Sequence, residues 1–150
     1  MREIKIVIRK GAGETPVPFR NSTDVITAAL PLFRGDDSWR ETCYALFTDH
    51  ANNMTGRFLV GVGDEKSVNI GKKAICSAAV GCLADGVILV HNHPSGNPRP
   101  SIQDKEQTQA LRRALATLDI KLLDHVILGD DTYFSFAEDA IQPISKKKTA

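Results

Sequence analysis

The spacing of hydrophobic residues changes along the chain and predicts where strands and helices begin. Isoleucines at every second position predict a half-buried strand over residues 3–9. From Ser22 to Phe33 the apolar residues have helical spacing. Pro31 predicts that this helix bends or stops there, because proline cannot donate the helical hydrogen bond. A hairpin is predicted next, with strands over residues 42–48 and 57–62.

The second half of the chain shows a clearer alternation of helices and strands. Ile75, Ala79 and Leu83 form one apolar stripe on a helix predicted over residues 72–83. Residues 87–91 lead into two histidines and are apolar up to the first of them, which predicts a buried central strand. The remaining predicted elements are a helix over residues 101–118 and strands over residues 121–128 and 132–136.

This order of elements predicts an α/β fold in which a mixed β-sheet is flanked by helices. A length of 150 residues fits one domain, and a hydrophobic content of 42% is enough to build a core. Within that domain we distinguish three parts. A strand and helix extension over residues 1–40 packs on the core, the core covers residues 41–140, and a lysine-rich tail over residues 141–150 is predicted to be disordered.

Charge and cysteine content narrow the classes of function. The net charge is +1 and its surplus lies in the lysines at 146–148, so we expect no broad basic face and no DNA binding. Cys43, Cys76 and Cys82 are an odd number without a C-x-x-C pair, which favours free thiols and a cytoplasmic location. No apolar stretch is long enough for a membrane span, and the first residues lack the core of a signal peptide.

The segment from His91 to Asp104 carries the main chemical signal, because it begins where an apolar strand ends and finishes where a helix begins. Histidines two positions apart on a strand point to the same face, so His91 and His93 can bind one ion together. The loop between them and the helix can return Asp104 to the same point. Two imidazoles and one carboxylate are typical zinc ligands, and three protein ligands leave one position open for water. The sequence therefore predicts a catalytic zinc site.

Ordinary structural roles are an alternative explanation for Ser101, Asp104 and other polar residues near them. Ser101 and Asp104 match the S-x-x-D capping box, in which side chains satisfy the free amides at a helix start. Capping alone would account for both residues, but the coincidence of H-x-H, a Pro/Gly loop and a helix-start aspartate favours the metal site. Asp124 and His125 are candidates for a second layer of residues around the site, but alternation along their strand sends them to opposite faces, which favours a structural role for one of them. Both are left out of the predicted site.

The string HNHPSGNPRPSIQD, with the later LLDHVILG and YFSF, resembles the RadC-like branch of the JAMM zinc metalloproteases. The resemblance covers residues 41–138 and implies an α-β-α sandwich like that of JAMM and cytidine deaminase domains. It also implies two roles. Glu41, just before the strand TCYALFTD, matches the general base of the family, and Ser101 matches the donor to the oxyanion. Glu65, in a polar turn, is the less suitable base.

The function implied by this resemblance is a zinc-dependent hydrolase that cleaves amide bonds in peptides or isopeptides with zinc-activated water. Two alternatives stay open, a non-catalytic binding module of the same fold and a protein associated with DNA repair. The chain also departs from the family pattern. Its first forty residues do not match the helix-hairpin-helix region that RadC-like proteins usually carry, and Lys72 and Lys73 replace a Pro-Arg pair, which puts the substrate groove in question.

Overall fold

The computed structural model describes residues 18–33, 40–63 and 71–145. The predicted strand over residues 3–9, the alternative base Glu65 and the lysines at 146–148 lie outside the described residues. Within the described ranges, none of the helices is both long and apolar enough to cross a membrane.

The order of helices and strands agrees closely with the order that the hydrophobic pattern predicted. The first helix becomes a 3₁₀ turn one residue before Pro31, as expected at a residue that lacks an N–H donor. The elements are α1 (Ser22–Ala29), the 3₁₀ turn (Leu30–Phe33), β1 (Thr42–Thr48), β2 (Met54–Val62), α2 (Lys72–Gly81), β3 (Gly86–Asn92), α3 (Ile102–Ala116), β4 (Lys121–Leu128), β5 (Thr132–Ser135) and β6 (Ala140–Pro143).

The six strands form one mixed sheet in the order β2-β1-β3-β4-β5-β6. Strands β3 and β4 run parallel, and the other neighbouring pairs run antiparallel. Strand β3 lies in the interior of the sheet and is buried along nearly its whole length. This position agrees with its continuous apolar sequence, because a strand covered on both faces has no polar side.

Helices cover both faces of the sheet. On one face Ile88 of β3 belongs to a buried cluster with Val25 of α1, so the helix from the predicted N-terminal extension packs on the core. On the other face Leu89 belongs to a separate cluster with Ile75 of α2 and Leu111 of α3. Successive residues of β3 therefore point to different helical layers. The predicted α/β fold, a mixed sheet between helices, is confirmed.

The end of α2 differs from its prediction. The helix ends at Gly81, and Leu83 takes a positive φ of 55° and is 82% exposed, so its assignment to the apolar stripe was wrong. The amide of Ala84 donates to the Ala79 carbonyl and the amide of Leu83 to that of Val80, which is the bonding pattern of a Schellman motif. The chain reverses here before it enters β3. Apolar spacing predicted that Leu83 is buried, but the turn after α2 leaves its side chain exposed.

The last strand, β6, was not predicted. It pairs antiparallel with β5 at the edge of the sheet, and the amide of Ile144 then donates to the carbonyl of Asp131. The assignment of the chain from residue 141 onward to a disordered tail was therefore wrong for residues 141–145. Four residues that end in Pro143 give little strand signal, but proline is tolerated at an edge, where no further strand needs its N–H.

Candidate metal centre

Four polar side chains converge at the end of the sheet where β1 begins and β3 ends. Each offers one nitrogen or oxygen atom, and the four atoms all lie within 4.8 Å of one another. Antiparallel pairing sets Cys43 opposite His91 and so brings the start of β1 next to the end of β3. The first turn of α3 supplies the carboxylate. The structure thus brings together Glu41, which the family resemblance indicated, and His91, His93 and Asp104, which the motif spacing indicated.

The nitrogen and oxygen atoms lie close to the spacing of a tetrahedral zinc site. The Nε2 atoms of His91 and His93 are 3.0 Å apart. His91 Nε2 lies 3.4 Å from Asp104 Oδ1, and His93 Nε2 lies 3.4 Å from Asp104 Oδ2. Ligand atoms bound tetrahedrally at about 2.1 Å are roughly 3.4 Å from one another. The donor set and its spacing therefore fit zinc.

Main-chain contacts hold Glu41 beside these three residues. Its carboxylate Oε1 lies 3.6 Å from His91 Nε2, and its carbonyl accepts a hydrogen bond from the amide of Gly63. The side chain of Asn92 binds the main chain on both sides of Glu41. The Asn92 side chain accepts from the Thr42 amide at 2.7 Å and donates to the Arg40 carbonyl at 3.0 Å. Asn92 thus supports the main chain beside Glu41, a contact that sequence reasoning missed although Asn92 stands between the two histidines.

The loop after β3 fixes the orientation of His93. Its Nδ1 lies 2.9 Å from the Asn97 carbonyl oxygen, which can only accept, so in the neutral ring Nδ1 carries the proton and Nε2 keeps its lone pair. The main-chain amide of His93 donates to the Leu128 carbonyl. The loop turns at Gly96, where φ is +79° and a Cβ atom would collide with the Asp130 carboxylate. A glycine is required at this turn.

Ser101 and Asp104 form the predicted capping box. The Ser101 hydroxyl accepts from the Asp104 amide at 3.0 Å, and the hydroxyl and the amide of Ser101 both donate to Asp104 Oδ2 at 2.7 Å. The other oxygen of Asp104 faces His91. One carboxylate therefore caps the helix and also reaches the histidines, so capping and a place in the candidate site are compatible.

Charges in the site favour a cation. Burial opposes charge on Asp104, but the neighbouring His91 and His93 rings outweigh it and hold the pKa of the carboxyl far below its usual range. Burial also opposes charge on His93, whereas Asp104 and Asn97 raise the pKa of the ring above its usual value. Burial, together with nearby carboxylates, raises the pKa of the Cys43 thiol, so this thiol stays protonated at neutral pH.

His125 also contacts the site, although the sequence pattern alone left it out. Its Nε2 lies 2.7 Å from His91 Nδ1, and its Nδ1 lies 2.6 Å from Thr108 Oγ1. Asp124 does point to the opposite face, as alternation predicted. Parallel pairing sets His125 opposite Leu89, two residues before His91 on the same face of β3. Alternation indicated that only one of Asp124 and His125 can face the site, and strand pairing shows that it is His125.

Comparison with known proteins agrees with the sequence motif. A family model for the RadC-like JAB domain matches residues 19–141. The UPF0758 protein of Aquifex aeolicus is 33% identical over 138 residues, which cover 92% of this chain and 58% of that protein. The UPF0758 proteins of Trichlorobacter lovleyi and Chlorobaculum parvum are 39% and 40% identical over 105 residues, covering 70% of this chain and 46% and 47% of those proteins. The chain spans about half the length of these curated relatives. The predicted family is thus confirmed, and the chain belongs to the RadC-like JAB domain family.

Proposed function

We propose that this chain is a zinc-dependent hydrolase that cleaves amide bonds in peptides or isopeptides. In this proposal His91, His93 and Asp104 hold the ion and Glu41 is the general base. The observation that carries the proposal is the convergence of two imidazole nitrogens and a carboxylate at 3.0 Å and 3.4 Å from one another. Three protein ligands leave a fourth position for water, which is the arrangement of a catalytic site.

Glu41 is placed to move a proton. Zinc, when bound, acts as a Lewis acid that lowers the pKa of water to about 7. The Glu41 carboxylate is buried and lies beside the imidazole of His91, with Oε1 3.6 Å from Nε2. From this position Oε1 can accept a proton from the attacking water and then deliver it to the leaving amine. Glu41 thus has a role distinct from that of the three ligands.

Ser101 is the proposed donor to the oxyanion. It is exposed, whereas Glu41, His91 and Asp104 are buried, so substrate would approach from the Ser101 side. The Ser101 hydroxyl donates to Asp104 Oδ2, but the Ser101 amide donates to the same oxygen. Asp104 therefore keeps one donor if the hydroxyl turns towards a substrate carbonyl. A positioned donor of this kind is worth about a hundredfold to a thousandfold in turnover.

Metal analysis and a matched pair of glutamate variants test the proposal. The parent protein is expected to hold about one zinc per chain after dialysis, and His91→Ala is expected to lose it. Glu41→Gln should keep zinc and lose cleavage, because its amide cannot accept the proton. Glu138→Gln, on an exposed glutamate that bonds Ser22 and Gln142, is the control and should behave as the parent does. Cleavage is measured by mass spectrometry with a synthetic library of linear and lysine-linked peptides.

Two outcomes would overturn this assignment. Full zinc content in His91→Ala would reject the ligand set, and cleavage by Glu41→Gln at the rate of the parent would reject the base. A parent protein that binds zinc and cleaves no member of the library would instead favour the non-catalytic binding module.

A further inference from the structure

Thr108 and His125 extend from the candidate metal centre as a chain of hydrogen bonds behind His91. His91 Nδ1 lies 2.7 Å from His125 Nε2, and His125 Nδ1 lies 2.6 Å from Thr108 Oγ1. The Thr108 hydroxyl in turn donates to the main-chain carbonyl of Asp104 at 2.5 Å. The chain therefore starts at the main chain of one proposed ligand and ends at the imidazole of another.

The direction of every proton in this chain follows from its first member. A carbonyl oxygen only accepts, so the Thr108 hydroxyl gives its one proton to Asp104. The hydroxyl oxygen then accepts from Nδ1–H of His125, which leaves Nε2 of a neutral His125 as an acceptor. That acceptor takes the proton on Nδ1 of His91. Nε2 of His91 is left with its lone pair, and it faces His93 and Asp104.

The surroundings of His125 keep its ring neutral and in place. The ring is fully buried and stacks on Phe136, with centroids 4.9 Å apart and planes 6° from parallel. Full burial favours the neutral ring, which carries one proton, because a charge there would be out of contact with water. Rotation about its axis would break the bonds to His91 and Thr108 together. The ring therefore has one favoured orientation and one favoured tautomer.

We propose that Thr108 and His125 are positioning residues that fix the tautomer of His91 and so leave its Nε2 free to bind the metal. The inference rests on the proposed zinc site. In His93 the Asn97 carbonyl favours the same tautomer, with the proton on Nδ1. Partners behind a histidine ligand orient its ring and raise its basicity, and their loss weakens metal binding by roughly tenfold to a hundredfold. Neither Thr108 nor His125 belongs to the motif that indicated the ligands.

A matched pair of substitutions at Thr108 tests this role. Thr108→Val removes the hydroxyl and keeps the branched shape, whereas Thr108→Ser keeps the hydroxyl. Zinc affinity, measured by competition with a fluorescent chelator, is expected to be roughly tenfold to a hundredfold weaker in Thr108→Val and close to that of the parent in Thr108→Ser. Thermal unfolding of the metal-free proteins controls for loss of fold. Equal zinc affinity in the two variants would overturn the proposal.

The tautomers are measured independently of the variants. Long-range nitrogen–proton correlation spectra of the metal-free parent with isotope-labelled histidines should place the proton of His91 and that of His125 on Nδ1. In Thr108→Val the His91 proton should shift in part to Nε2. A proton on Nε2 of His91 in the parent protein would overturn the proposal, whatever the variants do. A parent that binds no zinc would reject the proposed function instead, and these spectra would still decide the tautomer.

Discussion

The starts of α1 and α3 share one local pattern and differ in what surrounds it. In each helix the side chain of the N-cap residue, Asn21 or Ser101, accepts a hydrogen bond from the amide of an aspartate three residues later. In α1 that aspartate, Asp24, pairs with the exposed Arg20 at 3.1 Å. In α3 it is Asp104, which is buried and faces two imidazoles.

The comparison shows that a capping motif does not itself make a functional site. Hydrogen bonds with Arg20 lower the pKa of Asp24, and this carboxylate needs no further partner at the surface. Asp104, in contrast, is held between Ser101 and the histidines. The carboxylate is the same in both helices. The neighbouring strand end decides whether it also faces the candidate metal centre.

The largest expected difference between the two helix starts is in zinc content, after the carboxylate charge of each aspartate is removed. Asp104→Asn is expected to lose nearly all zinc on dialysis, because a neutral amide is a much poorer zinc ligand. Asp24→Asn should keep about one zinc per chain. Elemental analysis of the dialysed proteins measures both. Full zinc content in Asp104→Asn would contradict the site, and equal loss in both variants would point to a damaged fold.

Removal of the two caps should separate stability from catalysis. Asn21→Ala and Ser101→Ala should each lower the free energy of unfolding by about 1 kcal/mol, since each leaves a helix amide without its acceptor. Only Ser101→Ala should also reduce turnover, by about a hundredfold to a thousandfold. Urea unfolding and initial cleavage rates measure the two effects. If turnover fell equally in both variants, Ser101 would be a cap and not an oxyanion donor.

The effect of pH on zinc affinity should be smaller. It should depend on Asp104 at the start of α3 and not on Asp24 at the start of α1. Burial opposes charge on the His93 ring, but the hydrogen bond to Asp104 raises its pKa above its usual value. The ring is protonated below that raised pKa and must release the proton to bind zinc, so affinity should fall by roughly tenfold per pH unit there. Zinc titrations of the parent and of Asp24→Asn should coincide. A zinc affinity that stays constant as the pH falls would contradict this competition.

Much of the candidate site was predictable because its signals are local. His91 and His93 share a face through the period of a strand, and Asp104 lies where a helix begins. The role of Glu41 came only from family resemblance, since nothing in its immediate sequence points to a site. Its position beside His91 depends on the antiparallel pairing of β1 with β3. Hydrophobic spacing cannot supply that pairing.

The sequence by itself determined the family, the mixed α/β fold and the motif residues, because periodicity and motif spacing act over short stretches of chain. Only the tertiary structure decided that His125 stands behind His91. The pairing of β3 with β4 shifts register between Val87 and Ile88. Leu122, before the shift, packs on the face of α3, and His125 turns to that face only after it. Without this one-residue shift Asp124 would face the site, because side chains alternate strictly along a regular strand.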